Sequence, residues 1–229
     1  MTPLRRSPSR TRPFGKLAAA LALAALPLFS LPAQAQAAAP AAAAPAEFVE
    51  RMATADLLPK LRKGGYVLYI RHGITDNSRP DRVPSVDLND CNTQRLLSDD
   101  GRALMKRVGQ SVRAAKIPVG ELLVSPMCRT KESATLAFGP KFELVEPLMY
   151  SANMTSDEKK PRLEALKGLL TKPVPAGSNR VLLAHAPNLA DLIGFFVKPE
   201  GTVVVFSQSG PAGYEYVASI HPETWAKLK

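Results

Sequence analysis

Histidine and cysteine are scarce in this sequence. Only three histidines and two cysteines occur among its 229 residues, and none of them stands at a metal-ligand spacing such as CxxC or HxxxH. Such spacing is the usual signature of a structural zinc site, so its absence argues against one. We therefore expect no metal and no other cofactor.

Clustered positive charge is also missing. The formal net charge is +10, but five basic residues and no acidic ones lie in the first 37 residues, so the remainder carries +5. No basic run is interleaved with aromatic residues, and no nucleic-acid-binding motif is present. The composition therefore argues against nucleic acid as a partner. A moderate positive excess does suit an anionic small molecule.

Residues 1–37 have the pattern of a secretory signal peptide. Basic residues precede an apolar run at 17–31, and Ala-x-Ala triplets at 33–35 and 35–37 offer cleavage sites. The run is shorter than the roughly 20 residues that a membrane helix needs, so we expect no stable membrane span after cleavage. The Ala- and Pro-rich residues 38–46 are typical of a linker. We predict one domain over 47–229, located in the periplasm or secreted.

The two cysteines, Cys91 and Cys128, are compatible with a disulfide in an exported protein. The sequence alone does not decide whether they pair, because pairing depends on the distance between their Cα atoms in the fold. Both the paired and the free state stay open.

Short apolar segments alternate with helical patterns along the domain. The predicted strands are 66–70, 121–125, 142–145, 180–183, 202–206 and 214–220. A first helix is predicted from the apolar spacing of Phe48, Val49, Met52, Leu57, Leu58 and Leu61, ending at Gly64. Further helices are predicted from the Ser98 cap to residue 117, over 130–138, over 156–170 and from Pro187. This order predicts an α/β three-layer sandwich with a mostly parallel central sheet flanked by helices.

Polar residues follow three of these strands. Arg71 and His72 end the first, Arg129 follows the second, and His185 follows the fourth. Ligands of open α/β sheets bind at the carboxyl ends of the strands, so we expect these four side chains to meet in one crevice. Guanidinium groups match the oxygens of a tetrahedral anion, and an imidazole can donate a hydrogen bond or attack phosphorus. The sequence therefore predicts a phosphate-binding site.

Three segments, in this order, resemble the motifs of the histidine phosphatase superfamily, whose fold is phosphoglycerate-mutase-like. Residues 71–75 (RHGIT) resemble its RHGxT signature, 125–134 (SPMCRTKESA) its SPxxRxxxTA segment, and 181–189 (VLLAHAPNL) its second-histidine segment. The resemblance spans most of the predicted domain and implies a small exported member. It also implies a metal-independent phosphoric monoester hydrolase.

The resemblance assigns roles to the matching residues. His72 is implied to become the phosphohistidine, while Arg71 and Arg129 bind the phosphoryl oxygens together with Thr75. His185 is implied to support the transition state. Many members carry a glutamate proton donor in an LxE segment, where this chain has Leu148, Met149 and Tyr150.

Two other carboxylates are candidate proton donors, since the LxE glutamate is missing. Glu146 lies near that segment, and Asp76 follows the first motif. The charged loop 76–90 either is a solvated surface or contacts the substrate, in which case Arg79 and Arg82 are the candidate contacts.

Other activities fit less well. A thiolate phosphatase needs Cys-x5-Arg, but Ala134 and Leu97 stand at the arginine positions after the two cysteines. His221, in a polar segment near the C-terminus, is expected to be structural or exposed. The main alternative is a weakly active or inactive phosphatase-fold module that binds phosphorylated ligands in the cell envelope. A cytoplasmic phosphohistidine phosphatase conflicts with the signal segment. The expected partner is a phosphorylated small molecule or an envelope glycan or lipid phosphate.

Overall fold

A computed structural model describes residues 47–82, 86–210 and 212–228 of the chain. The predicted signal peptide and linker, 1–46, lie outside these ranges. The described residues form a central sheet with helices on both faces. None of the helices in these ranges has the length and apolar character needed to cross a membrane.

The elements are numbered in chain order. The strands are β1 (Tyr66–Arg71), β2 (Val119–Val124), β3 (Glu143–Leu144), β4 (Asn179–Ala184), β5 (Val203–Ser207) and β6 (Glu215–Ile220). The α-helices are α1 (Leu57–Lys63), α2 (Asp99–Ala114), α3 (Cys128–Phe138), α4 (Ser156–Thr171) and α5 (Ala186–Ile193). Short 3₁₀ turns cover Cys91–Thr93, Glu146–Leu148 and Pro222–Leu228.

The six strands lie in the order β3-β2-β4-β1-β5-β6. The first four of these are parallel, and β5 and β6 pair antiparallel, as the predicted closing hairpin requires. β4 lies between β2 and β1, with Leu183 opposite both Ile70 and Val124. The carboxyl ends of these three strands therefore meet at one edge of the sheet, as predicted.

Alternating side chains of the strands divide the core into two layers. In β1, Leu68 and Ile70 face a cluster that includes α1, α2 and α3, whereas Val67 and Tyr69 face a second cluster with α4 and α5. Because both faces of the sheet are covered, the strands are apolar throughout, which is why they could be recognised in the sequence.

The prediction of a helix starting near Phe48 was wrong, because α1 begins only at Leu57. The preceding segment instead lies along β6, where Ala53 donates to the carbonyl of Ser219 and Ser219 donates to that of Arg51. Phe48 stacks on Phe195 with ring centroids 4.4 Å apart. The edge of the sheet thus satisfies the backbone hydrogen bonds that a helix would have made.

The start of α2 packs against the segment that follows β1. As predicted, Ser98 caps this helix, and its hydroxyl accepts from the N–H of Gly101 at 3.1 Å. A Cβ on Gly101 would overlap the carbonyl of Ile74. We predict that Gly101→Ala lowers the free energy of unfolding by about 1–3 kcal/mol despite alanine's higher helix propensity, because backbone rather than a flexible side chain must move. Urea denaturation measures this change.

Gly168 provides the matched control. It is also a helical glycine, in α4, but a Cβ there meets no atom within 4 Å. Gly168→Ala is therefore expected to stabilise the protein by about 0.5–1 kcal/mol. Equal effects of the two substitutions would contradict the close packing at Gly101.

Candidate active site

His72 lies directly after β1, at the edge of the sheet where β2, β4 and β1 end. Its backbone N–H donates to the carbonyl of Ala184 at 3.1 Å, which extends the pairing of β1 with β4. The next N–H, of Gly73, donates to Ser133 Oγ at 3.2 Å. The His72 side chain is buried, with 3% of its surface exposed. Its position is therefore fixed by the sheet and by α3.

The hydrogen bonding of His72 sets its tautomer. Nδ1 lies 2.8 Å from the carbonyl oxygen of Gly73, which can only accept, so Nδ1 carries the hydrogen and Nε2 keeps its lone pair. Burial holds the pKa of His72 well below its usual value, and the charge of Arg129 is the second cause of this shift. The lowered pKa favours the neutral imidazole, which is the nucleophilic form.

His185 stands beside His72, with ring centroids 5.2 Å apart, at the N-cap of α5. Its Nε2 lies 2.9 Å from Ser125 Oγ, and the hydroxyl of Tyr69 donates to its backbone carbonyl at 2.6 Å. Nδ1 is buried and has no hydrogen-bond partner among the described residues. Burial, followed by the charge of Arg129, lowers the pKa of His185 well below its usual value.

Arg129 is fully buried near the start of α3. Its Nη1 donates to Asp81 Oδ1 at 3.0 Å, while Nε and Nη2 are buried without a partner in the described part of the chain. Burial lowers the pKa of Arg129, and Asp81 opposes that shift. An arginine remains charged after such a shift, so unpaired cationic donors are present beside both histidines.

Arg71 ends β1, and both of its terminal nitrogens have protein partners. Nη1 donates to the carbonyl of Val197 at 2.7 Å, and Nη2 pairs with Glu200. Nε is buried without a partner in the described ranges. The guanidinium is therefore held in place, and Nε is the donor that it leaves open.

Two helices begin at this edge of the sheet. α3 starts at Cys128 and α5 at Ala186, so the positive ends of both helix dipoles lie beside the two histidines. Tyr150 completes the wall: its ring lies 5.2 Å from the Arg129 guanidinium carbon and 5.5 Å from the His185 ring. The arrangement as a whole favours an anion.

The loop between β1 and α2 adds two residues that the sequence did not single out. Asp81 pairs with Arg129, and its Oδ1 also accepts from the backbone N–H of Arg95 at 2.8 Å. The charge of Arg95 contributes to the lowered pKa of both His72 and His185. Part of the loop thus reaches the site through Asp81, and contact of the loop with a substrate stays a prediction.

A disulfide joins this loop to α3, between Cys91 and Cys128. Gln94 adds a second connection, since its Oε1 accepts from the N–H of Cys128 at 2.8 Å and its Nε2 donates to the carbonyl of Asp87 at 2.8 Å. The disulfide and the Gln94 contact with the Cys128 N–H both lie one residue from Arg129, so the loop is held against the helix that carries this arginine.

The remaining predicted site residues, Thr75, Asp76 and Glu146, lie at the margin of the cluster formed by the two histidines and two arginines. Thr75 is buried and pairs by its backbone with Leu97, which brings the ends of the loop together. Asp76 is half-buried, and its Oδ1 accepts from the N–H of Ser78 at 2.9 Å. Hydrogen bonds with Ser78 lower the pKa of Asp76. Glu146 is exposed and pairs with Arg162. Neither carboxylate has the buried setting of a proton donor.

The other residues considered from the sequence fall outside this cluster or at its rim. Arg82 lines a cavity beside Asp81, whereas His221 pairs with Glu50 at 3.0 Å. Within the described ranges, no group of three or more His, Cys, Asp or Glu side chains is arranged to hold a metal ion.

The lowered pKa values of the two buried histidines predict how stability depends on pH. The unfolded chain takes up protons near pH 6.5, whereas folded His72 and His185 do so only at lower pH. The free energy of unfolding should therefore be highest above about pH 6.5 and fall below it, by up to about 1.4 kcal/mol per pH unit for each histidine. Denaturation curves at pH 7.5, 6.5 and 5.5 would measure this fall.

A variant with one buried histidine fewer serves as the control. His185→Gln cannot be protonated, so it should lose about half of the pH dependence. Stability that stays flat or rises as the pH falls from 6.5 would contradict the neutral, buried state of these imidazoles.

No protein-family model matches the chain, and no curated protein matches it. Several solved structures do match the chain. A proposed alpha-ribazole-5'-P phosphatase from Escherichia coli is 13% identical, with a TM-score of 0.54, over 69% of this chain and 97% of that one. The protein histidine phosphatase SixA in complex with tungstate is 15% identical (TM-score 0.47; 72% and 99% covered). A phosphoserine phosphatase mutant from Entamoeba histolytica in complex with phosphoserine is 13% identical (TM-score 0.49; 69% and 98% covered). The fold is thus the predicted phosphoglycerate-mutase-like three-layer arrangement.

Proposed function

We propose that this protein is a metal-independent histidine phosphatase that hydrolyses a phosphate monoester through a phosphohistidine on His72. One observation carries the proposal: Nδ1 of His72 is held by the Gly73 carbonyl, and the charge of the buried Arg129, which has two donors without a partner among the described residues, acts on the same imidazole. An imidazole with its lone pair on Nε2 is a competent nucleophile toward phosphorus. The fold supports the proposal, because solved structures that share it include a proposed phosphatase.

In the first step, His72 Nε2 attacks phosphorus as the bond to the leaving oxygen breaks. The open donors Nε and Nη2 of Arg129, with Nε of Arg71, hold the phosphoryl oxygens. Phosphoryl transfer is catalysed mainly by positioning and by charge stabilisation, which buried guanidinium groups provide without reorganisation.

His185 acts as a neutral hydrogen-bond donor in this proposal. If the Ser125 hydroxyl donates to Nε2, the hydrogen of His185 sits on Nδ1, the atom that has no partner among the described residues. That N–H stabilises charge on a phosphoryl oxygen. In the second step, water attacks phosphorus, the bond to Nε2 breaks, and phosphate leaves.

The proposed location is the periplasm or the extracellular space. The disulfide supports export, because disulfides persist in oxidising compartments. The proposed substrate is accordingly a phosphorylated small molecule or a glycan or lipid phosphate of the cell envelope. Fractionation of cells that express the full chain, with the mass of the mature form, tests the location.

Phosphate release from a panel of phosphomonoesters tests the activity. The panel contains aryl, sugar and glycerol phosphates, with and without EDTA. Release that EDTA leaves unchanged is the expected result. Release that EDTA abolishes would overturn the metal-independent mechanism, and tight phosphate binding without release from any ester would favour the ligand-binding module instead.

A further inference from the structure

Asp81 is the carboxylate that pairs with Arg129, one of the two arginines of the proposed phosphoryl site. Its side chain is 12% exposed, and Oδ1 accepts both from Arg129 Nη1 at 3.0 Å and from the Arg95 N–H at 2.8 Å. The contacts that Asp81 makes with described residues use Oδ1 alone. The position of the carboxyl is therefore fixed while Oδ2 keeps its capacity for another partner.

The space beside Asp81 suits a leaving group. Two cavities, of about 280 and 220 Å³, are both lined by Asp81 and Tyr150. Met127 and Met149 line the larger one, and Asn77 and Arg95 line the smaller one. Asp81 pairs with Arg129 and also lines both cavities, so it lies between that guanidinium and space that can take the rest of an ester.

A bound phosphoryl group would place a second anion beside Asp81. Asp81 and a phosphoryl dianion would share the single guanidinium of Arg129, and two anions at that distance repel each other. Protonation of Asp81 removes this repulsion and creates an O–H donor at the ester oxygen. Asp76 accepts from the Ser78 N–H and Glu146 pairs with Arg162, and neither of these contacts involves Arg129.

We propose that Asp81 is the catalytic proton donor to the leaving oxygen, a role that rests on the proposed phosphatase function. As His72 Nε2 forms its bond to phosphorus and the ester P–O bond breaks, the Asp81 proton passes to the departing oxygen and an alcohol leaves. Asp81, now a carboxylate, takes a proton from the water that attacks the phosphohistidine. Phosphate is released, and both residues return to their starting states.

The dependence on the leaving group separates a proton donor from a structural residue. Asp81→Asn keeps an oxygen that can accept from Arg129 and Arg95 but cannot supply the proton. Release from glycerol 2-phosphate, a poor leaving group, should fall by about 10²–10⁴-fold, the usual contribution of general acid catalysis. Release from p-nitrophenyl phosphate, whose leaving group needs no proton, should fall by less than about 10-fold.

Asp87→Asn is the matched control, since Asp87 is an exposed carboxylate of the same loop that accepts from the Asn89 N–H. It should leave both rates unchanged. Equal losses on the two esters in Asp81→Asn would overturn the proposal and assign Asp81 to positioning Arg129. Wild-type protein that hydrolyses only the aryl ester would also overturn it. No release by wild-type protein from either ester would reject the phosphatase function and the role of Asp81 with it.

Discussion

Phosphate release is expected to fall by a factor on the order of 10⁵–10⁶ when His72 is replaced by alanine, the size of loss seen when a covalent nucleophile is removed. The reason lies in the proposed two-step route. Without the imidazole, water must attack the ester directly, and the arginine donors can stabilise charge but cannot form the intermediate. Steady-state rates on p-nitrophenyl phosphate, with intact-protein mass spectrometry after an alkaline quench, measure both consequences.

Two controls keep this experiment interpretable. His221→Ala removes the third histidine, which pairs with Glu50 and Glu223 rather than with His72, His185 or either site arginine, and should leave the rate unchanged. His72→Asn keeps a polar side chain in the buried position and should be as inactive as the alanine variant. A His72→Ala protein that is folded and hydrolyses the ester at the wild-type rate would disprove the phosphohistidine mechanism. A phosphoryl adduct found on that variant would do so as well.

The sequence could predict that the four side chains meet at one edge of the sheet, because each polar motif is adjacent in sequence to its strand. Each of the three polar motifs directly follows an apolar strand, and parallel neighbours must end at the same edge of the sheet. Ser98 at the start of α2 was likewise recognisable, since a side-chain cap depends on residues three positions apart. These inferences needed no knowledge of distant contacts.

Asp81 and Arg95 could not be predicted in the same way. They lie in a loop without periodicity, and their places depend on contacts distant in sequence: the Asp81 pair with Arg129 and the Gln94 bond to the Cys128 N–H. The one available signal was weak, namely that a long charged loop follows the proposed nucleophile.

The error at the first helix has a similar origin. Phe48 and Met52 have helical spacing, but the partner that decides their structure is β6, more than 150 residues away, where Met52 pairs with Ser219. The contacts of Arg71 were also hidden, because Val197 and Glu200 meet it only after β5 closes the sheet beside β1. Sequence periodicity predicts the local structure of a segment, but it does not predict which distant segments that segment will contact.

Loss of the disulfide is expected to lower the free energy of unfolding by about 4 kcal/mol. Cys91 and Cys128 are 37 residues apart, and the chain-entropy estimate for closing a loop of that length gives this value. Total stabilities of single domains are about 5–15 kcal/mol, so the loss is a large fraction. Urea denaturation of a Cys91→Ser, Cys128→Ser double variant measures it.

A reducing agent provides the matched comparison. It should destabilise the wild-type protein by the same amount and leave the double variant unaffected. Wild-type stability that is insensitive to reduction, with both cysteines shown to be free thiols afterwards, would contradict a structural role for the bond.

The disulfide should also influence catalysis, because it closes the loop that carries Asp81 against the helix that carries Arg129. The Gln94 bond to the Cys128 N–H remains in the double variant, so the site is loosened but not lost. Under conditions where the double variant is still folded, we expect kcat/KM on glycerol 2-phosphate to fall more than on p-nitrophenyl phosphate, since only the former reaction needs Asp81 in place. Equal changes on both esters would instead mean that the disulfide supports the fold without positioning the proton donor.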